Sequence, residues 1–400
     1  MNISKIRKED RYILHLLSDE KFTDHVIELF DEIYPDRNIF FIELKDGLDN
    51  LVFVKSRNNR IIISQFGAPL IRFQFSDLSV FSVVILHNIV NYYKIDLITR
   101  CSNNVRFHWM IWGADLYSFP GLSHNILPVS MNYLKSKSTF LKNLLRFIFD
   151  NYPYTYNILY VLIYLKKSPI YKALNACKKI NSISTIVPTE LELVRKHVNP
   201  NVVDIPFKYS TIEKLLSGDL ETLCISGDFL VGNSATIENN HLDIFQTIKK
   251  LDYFNENIYC PLSYGGVDFN LYAQDIVFEG NKEFGTKFLP LTEYLSPLEY
   301  GDVLKKCGNV VMNHVRQQGL GNIVTSLWRG ARVFLNPKSP IYLFFKSVGI
   351  TIYTISDVAY YKNLPDYEYH ANANRGILYD IYSEKVVKRE ASELVDILLK

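Results

Sequence analysis

Short runs of β-branched and aromatic residues alternate with stretches of helical apolar spacing along most of the chain, and this alternation limits the fold more than any other feature. It calls for parallel sheets with crossover helices. RYILHLL (11–17) reads as a buried strand and Ser18 and Asp19 as helix-capping residues, after which Phe22, Val26, Leu29, Phe30 and Ile33 recur at helical spacing. Further strands are expected at 39–42, 60–64, 83–86 and 106–111, with 183–187 closing the first half. The irregular stretch 204–227, which carries Pro206, reads as a connection. A second series follows: strand DFLVG, helix HLDIFQTIKKL, strand NIYCPLSYGG, helix FNLYAQDIVFEGNKEF, strand TKFLPL, helix SPLEYGDVLKKC, strand NVVMNHV, and a helix opening at QGLGN.

A chain of 400 residues with 48% hydrophobic composition suits two domains better than one. The expected architecture is α/β, two doubly wound Rossmann-like domains facing across a cleft, with ligands beyond the carboxyl ends of the strands. The boundaries expected are 1–205 and 206–400, the last helix packing back on the first domain. With 44 basic and 42 acidic residues the net charge is only +2, so no global field points to nucleic acid. Cys101, Cys177, Cys224, Cys260 and Cys307 are widely spaced and form no CxxC pair, which predicts free thiols and no zinc site.

The opening MNISKIRKEDRY is charged where a signal peptide needs an apolar core. The best apolar run, 157–165, falls short of the ~20 residues of a spanning helix. A cytoplasmic protein is expected, and one segment suggests that it lies on a membrane. Residues 131–180 hold nine basic side chains against one acid, Asp150, interleaved with LLRFIF and YNILYVLIYL. Such a segment suits an in-plane helix on an anionic membrane surface; its plain alternative is a pair of core helices with solvated lysines.

Three loops of the second half share one physical character. VGNSAT (231–236) follows a strand and leads into a helix whose first turn is read as Glu238, Asn239, Asn240 and His241, where backbone N–H groups attract anions. PLSYGG (261–266) is the next strand end, and RQQGLGN (316–322) joins a fixed cation to a Gly-x-Gly turn, a diphosphate cradle. One such glycine alone is an ordinary turn residue. Three at carboxyl strand ends of one sheet point to a ligand.

VGNSAT, the NNH that follows it, PLSYGG, RQQGLGN and HWMIWGADLY (108–117) resemble glycosyltransferase family 56, the 4-alpha-L-fucosyltransferase family. The resemblance implies a GT-B architecture: an N-terminal acceptor domain, a C-terminal nucleotide-sugar domain, and a hexosyltransferase with no metal and no cofactor. Its donor would be a dTDP-sugar carrying 4-acetamido-4,6-dideoxygalactose or a relative. Its acceptor would be a polyprenyl-diphosphate-linked saccharide of common-antigen or O-antigen synthesis, met as a peripheral protein of the inner membrane. The sequence has no Asp-x-Asp pair of the metal-dependent kind. It departs from the family at Ala235 and Thr236, where a glycine and an acid are usual, and in the extra length around 131–180.

Without a metal, Arg316 and the backbone at Gly232–Ser234 and Gly319–Gly321 would carry the charge of the departing diphosphate. The donor-binding set expected is Gly232, Asn233, Ser234, His241, Ser263, Tyr264, Gly265, Tyr294, Gln317, Gln318, Gly319, Gly321 and Asn322. For its polar members, loop capping is the competing role. Asp19 and Asp115 are candidate bases, against helix capping for the first and a capped turn for the second. His15, His108, Trp112 and Tyr117 are candidate acceptor contacts, against core packing. Two other functions fit the same architecture: a nucleotide-sugar epimerase, and a noncatalytic sugar-nucleotide-binding protein at the membrane.

Overall fold

Strand β1, Ile13–Ser18, is apolar on both faces because helices cover both sides of a parallel sheet. Leu14 and Leu16 point into one buried cluster with Ile39, Phe41, Val84 and Trp109. Ile13 and Leu17 point the opposite way, into a cluster with Phe30, Phe40, Ile42 and Ile85, as the two-residue period of a strand requires. The computed structural model describes residues 6–20, 22–44, 47–58, 60–64, 78–89, 92–252, 254–265 and 269–400.

Two compact units divide the chain, the first comprising Met1–Ser123, Leu145–Ser210 and Lys385–Lys400 and the second His124–Leu144 and Thr211–Glu384. In the first, β2 (Asn38–Glu43), β3 (Ile61–Ser64), β4 (Val83–His87), β5 (Phe107–Met110), β6 (Ser182–Ser184) and β7 (Val203–Asp204) join β1 in the order β3-β2-β1-β4-β5-β6-β7. Every pairing is parallel, with Ile13 opposite both Asn38 and Val83. Val387, Ala391, Leu394, Val395 and Leu398 of the final helix, Glu384–Leu399, complete one face of this core.

In the second unit β8 (Phe229–Val231), β9 (Ile258–Pro261), β10 (Phe288–Leu291), β11 (Asn309–Met312), β12 (Arg332–Leu335) and β13 (Tyr353–Thr354) are ordered β10-β9-β8-β11-β12-β13, again all parallel. Both sheets are doubly wound and Rossmann-like, the kind of domain of which the GT-B fold has two. Strand order reverses between β1 and β4 and between β8 and β11, and in open sheets of this kind ligands sit at such a switch point.

Several elements differ from the sequence expectation. β7 lies at the edge of the stretch read as a connection, and β12 and β13 are additional strands. The helix after β1 begins at Thr23 with Phe22 as its N-cap and no side-chain cap, so neither Ser18 nor Asp19 caps it. After β8 the chain makes a short 3-10 turn, Ile237–Asn239, and the α-helix starts only at His241; Asn240 between them is left-handed at φ 54°, so Glu238, Asn239 and Asn240 are not its first turn. Between β5 and β6 run the helices Pro128–Ser136, Phe140–Asn151, Pro153–Tyr164 and Pro169–Cys177. Among the described residues no helix is long and apolar enough to cross a membrane.

Candidate functional site

At the carboxyl end of β8 the chain turns at Gly232, whose φ of 68° suits glycine. A Cβ there would lie 2.6 Å from His241 Nε2 and 2.8 Å from Asn239 Oδ1, so these two side chains fill the space beneath the turn. Asn239 Oδ1 accepts the Asn233 N–H at 2.9 Å, and its amide donates to the carbonyls of Ser234 and Thr236. That orientation makes His314 Nε2 a donor to Asn239 Oδ1, at 2.7 Å. One asparagine side chain therefore fixes the whole 233–236 loop from below.

Gln318, from the loop after β11, fixes it from the other side. Its Nε2 donates to Asn233 Oδ1 at 2.9 Å, Thr236 Oγ1 at 3.1 Å and Ser234 Oγ at 3.2 Å. The loop after β9 joins through Ala235 N–H, which donates to Tyr264 O, and through a parallel bridge between Ala235 and Gly265. Asn233 Nδ2 also reaches the Tyr264 hydroxyl, at 3.4 Å. The three glycine-bearing loops thus meet around the β8–β11 switch point.

Gly319 is the N-cap of the helix Leu320–Trp328, whose first-turn N–H groups carry the partial positive charge of a helix start. Arg316 is half-buried three residues earlier, and its Nη1 donates to Gln317 O. Burial holds the His241 imidazole near a pKa of about 3, its Nδ1 bonded to the Tyr272 hydroxyl at 3.0 Å. His314 is likewise held well below its ordinary value, first by burial and then by the Arg316 guanidinium and His241. Both imidazoles are neutral, so positive charge in this corner rests on Arg316 and backbone dipoles. Asn240 Nδ2 bonds the carbonyls of Asn313 and Asn125, and Asn313 Oδ1 accepts from Asn336 at 2.8 Å, so a row of asparagines braces the floor.

The other expected donor residues lie around this corner unequally. Ser263 is half-buried, while Tyr264 and Tyr294 are exposed. Gly321 and Asn322 are half-buried in the helix start, where Asn322 Nδ2 donates to the Tyr300 hydroxyl at 2.8 Å. Gln317 is buried. Gly266, the last residue of PLSYGG, lies outside the described residues.

The first unit has its own cluster at the carboxyl ends of β1, β2, β4 and β5. Asp19 is buried, and its carboxylate accepts the N–H groups of Val52, Phe53 and Val54, with Asp24 continuing the grip at Lys55 and Ser56. Asp115 is as deeply buried and takes four donors: Trp112 N, Leu116 N, Ile89 N and, at 2.8 Å, Trp109 Nε1. Burial raises its pKa and these bonds oppose the rise. Both carboxylates are loop anchors. Lys94 is fully buried, donating to His87 O at 2.7 Å and to Asn88; burial lowers it to about 7 against the pull of the Glu43 and Asp115 carboxylates.

His15 Nε2 donates to Asn38 Oδ1 at 3.1 Å, since the Asn38 amide is turned to the Phe30 and Tyr34 carbonyls. His15 Nδ1 therefore accepts from His87 Nε2, leaving His87 Nδ1 to accept from Tyr209. His108 bridges Ser182 and Ser184, and the Tyr117 hydroxyl bonds Glu190 at 3.0 Å. These three of the four expected acceptor residues are buried, whereas Trp112 is half-buried and meets Tyr209 edge-on at 5.8 Å. Lys94, His87, His314, Asn313 and Gln318's three-way grip carry no local signal: only the folded sheet brings them to the strand ends. Among the described residues no group of three or more His, Cys, Asp or Glu side chains is placed to hold a metal ion.

The model of the family described as 4-alpha-L-fucosyltransferase, glycosyl transferase group 56, matches residues 198–360, a span that contains all three loops. No curated protein sequence matches the chain. Solved structures of similar fold include sucrose-phosphate synthase from Thermosynechococcus elongatus, at TM-score 0.61 and 8% identity over 97% of this chain and 99% of that one. Anabaena HepE in complex with UDP and glucose superimposes at TM-score 0.60 and 9% identity, over 96% of this chain and 100% of that one. The lipopolysaccharide outer core galactosyltransferase WaaB follows at 0.54 and 9%, over 96% and 99%. At these identities the likeness is one of fold.

Proposed function

We propose that the chain is a metal-independent GT-B hexosyltransferase akin to glycosyltransferase family 56. It moves a deoxyamino sugar, 4-acetamido-4,6-dideoxygalactose or a close relative, from a dTDP-sugar onto a polyprenyl-diphosphate-linked saccharide at the cytoplasmic face of the inner membrane. The observation that carries this reading is the clamp of Gln318 on Asn233, Ser234 and Thr236, which joins two glycine-bearing strand-end loops at the switch point inside the matched span.

In the transfer the bond from the anomeric carbon to the diphosphate oxygen breaks, and the bond to the acceptor hydroxyl oxygen forms as that hydroxyl gives up its proton to water. Negative charge grows on the departing diphosphate. Arg316 and the first-turn N–H groups after Gly319 meet it, because preformed donors aimed at developing charge need no reorganisation during the step. Gly232 and Gly265 keep side chains out of the donor loops, and Tyr264 and Tyr294 offer exposed rings for the base or sugar. We assign the acceptor to the first unit, with Trp112 as its contact. Asp19 and Asp115 hold the loops around it, since each carboxylate is already occupied by N–H donors.

A thermal-shift panel of nucleotides and nucleotide sugars tests this reading, because a ligand that binds the folded state raises Tm by mass action. dTDP and dTDP-sugars should raise it more than UDP, GDP or CDP counterparts at equal concentration. Absence of a shift with every nucleoside diphosphate sinks the reading. Slow release of dTDP and free sugar from the donor separates a transferase from a binding protein, and an epimerised nucleotide sugar would identify the epimerase.

A further inference from the structure

The helices Phe140–Asn151 and Pro153–Tyr164 contain no buried residue, although their sequences FLKNLLRFIFDN and PYTYNILYVLIY are largely apolar. A helix of a water-soluble domain turns its apolar stripe to the core. Here the stripes face outward. On the first helix Phe140, Leu144 and Phe147 are 83, 41 and 55% exposed at helical spacing, and on the second Tyr154, Ile158 and Leu162 follow the same rule at 77, 59 and 70%. Large apolar side chains exposed in this way mark a site of association.

The charges around it decide the partner. Lys135, Lys166 and Lys167 flank the pair, Lys142 lies within its first helix, and all four are exposed. Asp150, the single acid between 131 and 180, is bonded to the Ser123 hydroxyl. A second copy of the chain would bring like charges together at this surface, whereas an anionic bilayer offers apolar depth and opposite charge at once. Each twelve-residue helix is about 18 Å long at 1.5 Å per residue, which suits lying in the plane of the head groups. Tyr152, Tyr154 and Tyr164, all more than half exposed, supply rings with one polar end for that boundary.

We propose that the helix pair 140–164 is an in-plane membrane anchor whose Phe140, Leu144, Phe147, Ile158 and Leu162 enter the head-group boundary of an anionic bilayer while the neighbouring lysines meet its phosphates. The anchor gives a physical form to the membrane partner in the function proposed above, but it stands on exposure and charge alone. Vesicle binding and nucleotide binding can therefore fail separately.

The test is co-sedimentation of the full chain with phosphatidylglycerol–phosphatidylethanolamine vesicles and with phosphatidylcholine vesicles, alongside sedimentation velocity without lipid. The wild type should be monomeric and bind the anionic vesicles more tightly. Phe147→Glu combined with Ile158→Glu should lower binding tenfold or more, and so should Lys142→Glu with Lys166→Glu and Lys167→Glu, neither changing the dTDP thermal shift. Backbone amides of 140–164 should gain hydrogen-exchange protection when anionic vesicles are added, a readout that needs no variant. Unchanged vesicle binding in both variants, no gain in protection, or a wild-type dimer that the glutamates dissociate would overturn the proposal. Loss of the dTDP shift with normal vesicle binding would instead overturn the transferase reading and leave the anchor standing.

Discussion

The carbonyl oxygen of Ala235 occupies the place where a side chain on Gly265 would begin. The two residues bridge the loops after β8 and β9, and the obstacle is backbone, which cannot swing aside as a side-chain tip would. The second glycine-bearing strand end is thus a site of loop contact as much as of ligand approach.

Gly265→Ala should consequently push the two loops apart. Overpacking of this kind costs about 1–3 kcal/mol. The expected outcome is a Tm several degrees lower together with weaker dTDP-sugar binding, both read by differential scanning fluorimetry with and without nucleotide. Wild-type Tm and affinity would show that the loops part freely.

Gln318→Leu removes the donor from Asn233 Oδ1, while Ser234 Oγ and Thr236 Oγ1 keep a bond from Asn239. A buried acceptor left without its donor costs about 1–3 kcal/mol. Because the clamp orders the donor loop, most of that loss should appear in binding, as a Kd for donor raised about tenfold, the equivalent of ~1.4 kcal/mol. Isothermal titration calorimetry measures it; an unchanged Kd with a lowered Tm would make the clamp purely structural.

Arg316→Ala should leave the fold intact and lower turnover at saturating donor by ~100-fold or more, since it deletes a cation facing the departing diphosphate. Transfer by the wild type should persist in EDTA. Turnover of the alanine variant near that of the wild type, or a reaction that stops with chelator and returns with magnesium, would each contradict the assigned role.

His15, His108 and His241 are each held near a pKa of about 3 by burial, against 6.5 when unfolded. The folded state therefore binds fewer protons than the unfolded state between those values. The stability these groups contribute is present above pH 6.5 and is lost as pH falls toward 3, at up to ~1.4 kcal/mol per pH unit for each. Glu190, raised by burial to about 7, works the other way, its share being lost as pH rises from 4.5 to 7. Three histidines outweigh one glutamate, so urea midpoints should fall between pH 6.5 and 5. His108→Gln should flatten that slope by about one histidine's share; an unchanged slope would mean that His108 is charged in the fold.

Legibility in the sequence followed signal length. β1 and the helix after it are readable because five buried strand positions and a full helical stripe stand together. β7 and β13 have two residues each, too few to show any period, and are strands only because a neighbour pairs with them. The loops bearing Gly232, Gly265 and Gly319 were visible as motifs. What braces them was not, because Asn239, His314 and Gln318 meet only after β8 and β11 become neighbours. Asp19 shows the same limit: beside a helix start an aspartate reads as a cap, and its true partners lie 33 to 35 residues away.

The final helix puts Val387, Ala391, Leu394 and Leu398 into the core formed by Ile13, Phe30 and Phe40 near the other end of the chain. On a ribosome the first unit is therefore left with an open apolar face until residues 387–398 have been made. A fragment ending at Ser210 would carry that face permanently, and its aggregation would say nothing about the stability of the whole chain.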